Sequence, residues 1–248
     1  MRMDRWAGKF AIVTGVSSGI GEAIARSFVT GGINVLGLAR RENLLRDLSN
    51  SFKKSKGEFH YLKCDLRNEQ DILRAFAYVN KNFGRIDILV NNAAVVFENT
   101  FESAKTDEYR AILDVNVLAP ALFIREALKL MRKNKIEGHI ININSVAGLR
   151  ATVPLPVTLY PATKFALRAM TDTLKEEIKK NKDKIRVTGI HPGLVKTEMQ
   201  NTSEVFLDLF NTIPYLQSQD VADCVVFALS VPSHVQIDEL TVTGVQSP

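Results

Sequence analysis

Phe10-Ala11-Ile12-Val13-Thr14-Gly15-Val16-Ser17-Ser18-Gly19-Ile20-Gly21 runs from an apolar segment through glycines and serines into an amphipathic stretch that ends near Thr30. The apolar part is short and flanked by turn residues, so it reads as a buried strand. Gly15 permits a sharp exit from that strand, Gly19 lets the backbone approach a pyrophosphate, and Gly21 lets the following helix close on the sheet. The helix N-terminus then offers unpaired N–H groups and a partial positive charge to phosphates, with Ser17, Ser18 and Ile20 as the remaining contacts of the turn. The spacing is G-x-x-x-G-x-G, not the commoner G-x-G-x-x-G. Its strand–turn–helix context carries the dinucleotide reading.

Outward from this turn, short apolar runs alternate with helical stretches. Expected strands are 9–14, 33–39, 59–64, 86–90, 139–144, 185–191 and 236–243. Expected helices are 19–30, 42–52, 69–82, 106–133, 158–181 and 220–230. Strands rich in Ile and Val without strict alternation imply a sheet covered on both faces, hence mostly parallel. The expected architecture is α/β: one Rossmann-type domain over residues 1–248, a doubly wound parallel sheet of about seven strands with helices on both faces. The stretches 106–133 and 158–181 exceed what a crossover requires, so they are expected to build a homo-oligomer, dimer or tetramer. A monomer with two long surface helices is the alternative.

Composition excludes several classes. The 248 residues are 46% hydrophobic and 24% charged, too apolar for a disordered chain. No apolar run approaches the roughly 18 residues of a membrane span, and residues 1–6 carry charges where a signal peptide has an apolar core. Cys64 and Cys224 are too few for a disulfide scaffold, so a reducing, cytoplasmic setting is expected. His60, His139, His191 and His234 lack ligand spacing, and no metal is expected. The net charge of +5 comes from basic clusters at expected helix ends, without interleaved aromatics, so no nucleic acid is expected as a partner.

The end of the second strand selects the dinucleotide. An acidic residue there would bind a ribose 2′-hydroxyl. This chain has Arg40 and Arg41 instead, and a guanidinium suits a 2′-phosphate by charge and by bidentate geometry, with Ser17 adding a hydroxyl. The expected cofactor is therefore NADP(H). Further on, Tyr160 and Lys164 share one helix face at i and i+4, with Pro161 placing Tyr160 at the helix start. A nearby ammonium, together with an oxidised nicotinamide, is expected to pull the phenol pKa down and make Tyr160 a usable acid and base. Ser145, at the carboxyl end of a buried strand, is placed to hydrogen-bond a substrate oxygen. Asn116 interrupts an otherwise apolar helix as a core amide or as part of a proton route.

Together the motifs Thr14–Gly21, Cys64-Asp65-Leu66, Asn91-Asn92-Ala93-Ala94, Asn116, Ser145, Tyr160 with Lys164, and His191-Pro192-Gly193 with Thr197 resemble the short-chain dehydrogenases/reductases over essentially the whole chain. The resemblance implies that Tyr160 is the acid/base, that Ser145 positions the substrate oxygen, and that Lys164 holds the nicotinamide ribose. It implies that Asn116 supports a water-linked proton relay, that Asp65 with Leu66 contacts adenine, and that Asn92 and Ala93 support the cofactor-side strand. Pro192, Gly193, Val195 and Thr197 would frame the nicotinamide carboxamide. Two departures stand out: Ala94 replaces the family's usual glycine, and Asn144 replaces the serine that commonly precedes the catalytic one. Residues 3–6, 138–145 and 234–237 further resemble a subgroup acting on steroid ketones, dicarbonyls or isoprenoid alcohols such as farnesol.

Substrate selection is expected from 95–97, 149–159 and 199–218. The last is read as an amphipathic lid with many apolar residues, which favours a hydrophobic small-molecule substrate. The alternative is that these residues pack on the body or on a neighbour. The expected activity is NADP(H)-linked exchange between a hydrophobic alcohol, farnesol-like, and its carbonyl, with steroid or dicarbonyl reduction as the alternative. A non-catalytic NADP-binding sensor is the reading from a different class.

Overall fold

Every residue of β1 (Phe10–Thr14) is buried, and its side chains alternate between two cores. Ala11 and Val13 join Ile24 and Phe28 of α1 (Gly19–Thr30), Leu45 of α2 (Glu42–Ser51) and Val225 of α8 (Ser218–Ser230). Phe10 and Ile12 join Ile72 and Phe76 of α3 (Glu69–Asn82), Phe123 of α5 (Ala119–Lys133) and Leu174 of α6 (Tyr160–Asn181). A strand apolar on both faces can only sit in a sheet covered on both sides. The computed structural model describes residues 3–151, 155–198 and 204–245, the side chains of 204–206 excepted.

Seven parallel strands form that sheet in the order β3 (Phe59–Lys63), β2 (Asn34–Ala39), β1, β4 (Ile88–Asn91), β5 (His139–Ile143), β6 (Arg186–Pro192) and β9 (Glu239–Val242). Strand order reverses between β1 and β4, and the crevice beyond the carboxyl ends of these two strands is where open α/β sheets bind ligands. Val195–Lys196 (β7) pairs with Leu216–Gln217 (β8) as a separate two-stranded ribbon. The helix α7 (Glu204–Thr212) lies between them in sequence. Near the amino end, a 3₁₀ turn at Asp4–Trp6 buries the Trp6 indole, whose N–H donates to the Leu229 carbonyl at 2.8 Å. No helix among the described residues is long and apolar enough to cross a membrane.

The doubly wound α/β architecture is as expected, and α1 and α3 have the expected bounds. Two expected elements change by more than two residues. The helix expected over 106–133 is broken into α4 (Thr106–Leu113) and α5 by a π turn at Asp114–Leu118. Asn116 explains the break. Its Oδ1 accepts from Val95 N–H at 2.8 Å, while its Nδ2 donates to the Val95 carbonyl at 2.9 Å and to Thr163 Oγ1 at 3.1 Å. Pro120 also has no N–H to give the Asn116 carbonyl four residues back. The strand expected over 236–243 shortens to β9, because residues 235–237 meet β6 through side chains. Arg186 donates to the Val235 carbonyl, Gln236 to Val187 and Thr188 to Ile237, which replaces a ladder.

Candidate active site

At the reversal point a hydroxyl clasps two strand ends. Thr14 Oγ1 accepts from the backbone N–H of Asn92 and of Ala93, both at 3.0 Å, and Asn92 Nδ2 donates back to the Thr14 carbonyl at 2.8 Å. The chain then leaves β1 through Gly15 at φ +72° and enters α1 through Gly19 at φ +62°, the left-handed region that favours glycine. Gly21 serves a different purpose. A Cβ there would strike the Gly15 carbonyl oxygen and the Asn92 amide, so its bareness holds the turn against β4. Ser18 is the N-cap of α1 but makes no side-chain cap bond. Three bare positions and an uncapped helix N-terminus fit a pyrophosphate.

Arg41 draws the end of β2 onto this turn. Its Nε donates to Ser17 Oγ at 3.2 Å, and its Nη2 donates to Ser17 Oγ at 3.0 Å and Ser18 Oγ at 2.8 Å. Its Nη1 is 2.8 Å from Glu198 Oε2. Arg40 lines the same groove but makes no hydrogen bond among the described residues. Asp65 pairs with Arg67 at 2.6 Å, and this bond holds its carboxyl below the usual carboxylate range, with Arg40 assisting.

The other end of the groove is built by α6 and the loop after β5. Pro161 sits in the first turn of α6, as expected, so Tyr160 opens the helix. One turn on, Lys164 is buried, its Nζ donating to the Ile143 carbonyl at 3.0 Å and lying 5.6 Å from the Tyr160 ring centre. The Ser145 hydroxyl hydrogen-bonds the Tyr160 hydroxyl and accepts from Ala147 N–H at 3.1 Å, which starts a short 3₁₀ turn. Behind it, His191 Nδ1 lies 3.3 Å from the Ser145 carbonyl oxygen.

The fall in the phenol pKa is expected beside a bound oxidised nicotinamide; the protein's own groups act in the other direction. Burial pushes Tyr160 up to about 12, and the Ser145 bond opposes this only in part. Burial also lowers Lys164 to about 8, so it remains a cation at neutral pH. For a phenol the charged form is the anion, and walls that exclude water penalise it.

A single cavity of about 630 Å³ joins the two ends. It is lined by Gly15, Ser17, Ser18, Gly19, Ile20, Arg40 and Arg41 at one side, by Asp65, Leu66, Asn92 and Ala93 in the middle, and by Ser145, Tyr160, Lys164, Pro192, Gly193, Val195 and Thr197 at the other. Of the expected residues, Gly21 and Asn116 do not line it; both stand behind its walls. Val95, Val96 and Phe97 line it as expected, and the Asn116 bonds to Val95 hold that segment. Ala111, Val115, Arg67 and Glu198 line it unforeseen. Ala111 lies on α4 and Val115 in the π turn, and no local pattern announces that they face the groove. Leu207–Leu216 do not line it; Phe210 packs on Tyr215 with ring centres 5.2 Å apart. Of the second substrate segment, 149–151 and 155–159 do not line it either; 152–154, with 199–203 of the expected lid, lie outside the described residues.

A phosphate-accepting turn and a tyrosine–lysine pair, at opposite ends of one groove above a parallel sheet, are the equipment of a dinucleotide-linked oxidoreductase. A family profile described as short chain dehydrogenase matches residues 9–206, and the chain belongs to that family. It is 38% identical over 245 residues to a farnesol dehydrogenase of Aedes aegypti, covering 98% of both chains. It is 37% identical over 247 residues to dehydrogenase/reductase SDR family member 11 of Homo sapiens, covering 96% of this chain and 95% of the other. Among solved structures it is similar to an alcohol dehydrogenase from the archaeon Thermococcus sibiricus complexed with 5-hydroxy-NADP. There the TM-score is 0.85 at 25% identity, over 97% of this chain and 98% of that one. It is also similar to a serine dehydrogenase complexed with NADP+, with TM-score 0.84 at 30% identity over 94% of each chain.

Proposed function

We propose that this protein is an NADP(H)-dependent oxidoreductase that interconverts a hydrophobic alcohol and its carbonyl, with a farnesol-type isoprenoid alcohol as the favoured substrate. The observation that carries this reading is the meeting of Ser145, Tyr160 and Lys164 in the same groove that holds Arg41 on Ser17 and Ser18. When bound, the nicotinamide supplies hydride exchange. Around it, Arg41 and Ser17 would hold the 2′-phosphate, and the uncapped N-terminus of α1 would hold the pyrophosphate. Asp65 and Leu66 would border the adenine, while Pro192, Val195 and Thr197 would border the carboxamide. The Ser145 hydroxyl donates to the substrate oxygen and stabilises its developing charge. Tyr160 gives the proton in reduction and takes it in oxidation. Lys164, with its ammonium on the Ile143 carbonyl, anchors the ribose beside the phenol. Asn116 keeps the 95–97 wall in place and supports the proton route.

The walls Val95, Val96, Phe97, Ala111 and Val115 favour an uncharged apolar substrate. Similarity to the mosquito farnesol dehydrogenase supports the isoprenoid class. Leu113, Leu118 and Phe165 are exposed on α4, the π turn and α6, which supports a homo-oligomer through these helices.

Initial rates decide the substrate: farnesol with NADP or NAD, and a steroid ketone and a dicarbonyl with NADPH, with Tyr160→Phe as the blank. Tyrosine-dependent farnesol oxidation that prefers NADP is the expected result. Ketone reduction without farnesol turnover would move the function to carbonyl reduction. Turnover retained in Tyr160→Phe would remove the mechanism.

A further inference from the structure

We propose that Glu198 limits how strongly this groove prefers a 2′-phosphate over a 2′-hydroxyl, because it competes with the phosphate for Arg41. The inference rests on the reading above, in which Arg41 grips the 2′-phosphate. One side of the Arg41 fork is taken by the hydroxyls of Ser17 and Ser18, and the remaining Nη1 is taken by Glu198 Oε2 at 2.8 Å. Glu198 also bonds the Ser18 hydroxyl, and its carboxyl is held below the usual range mainly by Arg41, so it is an anion at neutral pH. All three guanidinium nitrogens are therefore engaged before any nucleotide arrives.

A phosphate entering here meets a carboxylate of its own sign and must displace it to reach Nη1. A 2′-hydroxyl meets no such conflict, since a carboxylate accepts its proton, the same chemistry by which acidic residues select an unphosphorylated ribose. Glu198 thus supplies the acid that the end of β2 lacks, from a segment 157 residues away. Both partners are about half exposed (48% and 56%), so displacement requires no unfolding, and the effect is of surface-pair size.

The test is calorimetric binding of 2′,5′-ADP and 5′-AMP, which needs no turnover. Wild type, Glu198→Gln, Glu198→Ala and Arg41→Ala are compared. Removing the carboxylate is expected to tighten 2′,5′-ADP by about three- to fivefold while 5′-AMP stays within about twofold or weakens. Unchanged or weaker 2′,5′-ADP binding in both Glu198 variants, with Arg41→Ala impaired, would overturn the inference and leave the Arg41 reading intact. Unimpaired 2′,5′-ADP binding in Arg41→Ala would overturn the Arg41 reading itself.

Discussion

The Tyr160 phenol stands near 12 because its surroundings exclude the water that a phenolate needs, and the Ser145 hydroxyl recovers only part of that loss. The Lys164 ammonium lies 5.6 Å from the ring centre, and an oxidised nicotinamide would add a second positive charge beside the phenol. Binding of NADP+ is expected to lower the phenol pKa by about one to three units. The phenolate absorbance difference between wild type and Tyr160→Phe, titrated with and without NADP+, measures this; coincident curves would refute it. Tyr160→Phe itself is expected to lose about a hundredfold or more in turnover while retaining NADPH affinity in fluorescence titration. At the other end of the groove, Arg41→Ala is expected to weaken NADPH binding by about 1.5–3 kcal/mol, and Arg40→Ala by less. The sequence supplied both arginines as candidates. Only the placement of Ser17 and Ser18 beside one of them separates the pair.

At the scale of elements, legibility followed the reach of the signal. The bounds of α1 and α3 could be read because an apolar period or a glycine turn lies within a few residues of their ends. The break at Asn116 could not. The apolar pattern of 106–133 continues through it, and its cause is a pair of backbone groups on Val95, 21 residues earlier. Glu198 escaped notice for the same reason at longer range. Asn116→Leu is expected to leave the Val95 N–H and C=O unpaired and to cost about 2–4 kcal/mol, seen as a lower urea midpoint. Since Val95 lines the cavity, the substrate KM is expected to rise more than NADPH affinity falls.

Across the whole molecule, alternation of strand and helix, together with the right-handed rule for crossovers, was enough to anticipate the parallel sheet. The polar groups inside it were less legible. His139 is fully buried on β5, its Nε2 is 2.8 Å from Thr188 Oγ1, and its Nδ1 has no partner among the described residues. Burial, with Arg5 adding repulsion, lowers its pKa from 6.5 to about 3. The unfolded chain therefore takes up this proton first as pH falls. The stability linked to neutral His139 is complete above 6.5 and is lost progressively from there down to about 3, by up to about 1.4 kcal/mol per pH unit. Urea midpoints across that window are expected to fall less steeply for His139→Asn than for wild type; equal slopes would acquit this histidine. The Trp6–Leu229 bond ties the molecule together in another way. Its partners are separated by 223 residues, and α8, which carries Leu229, also covers α1. A ribosome adding about 5–20 residues per second makes the indole wait roughly ten to forty-five seconds for its acceptor. Through that interval the nascent chain carries an uncovered α1 flank, and a messenger truncated ahead of α8 would release a product that never covers it.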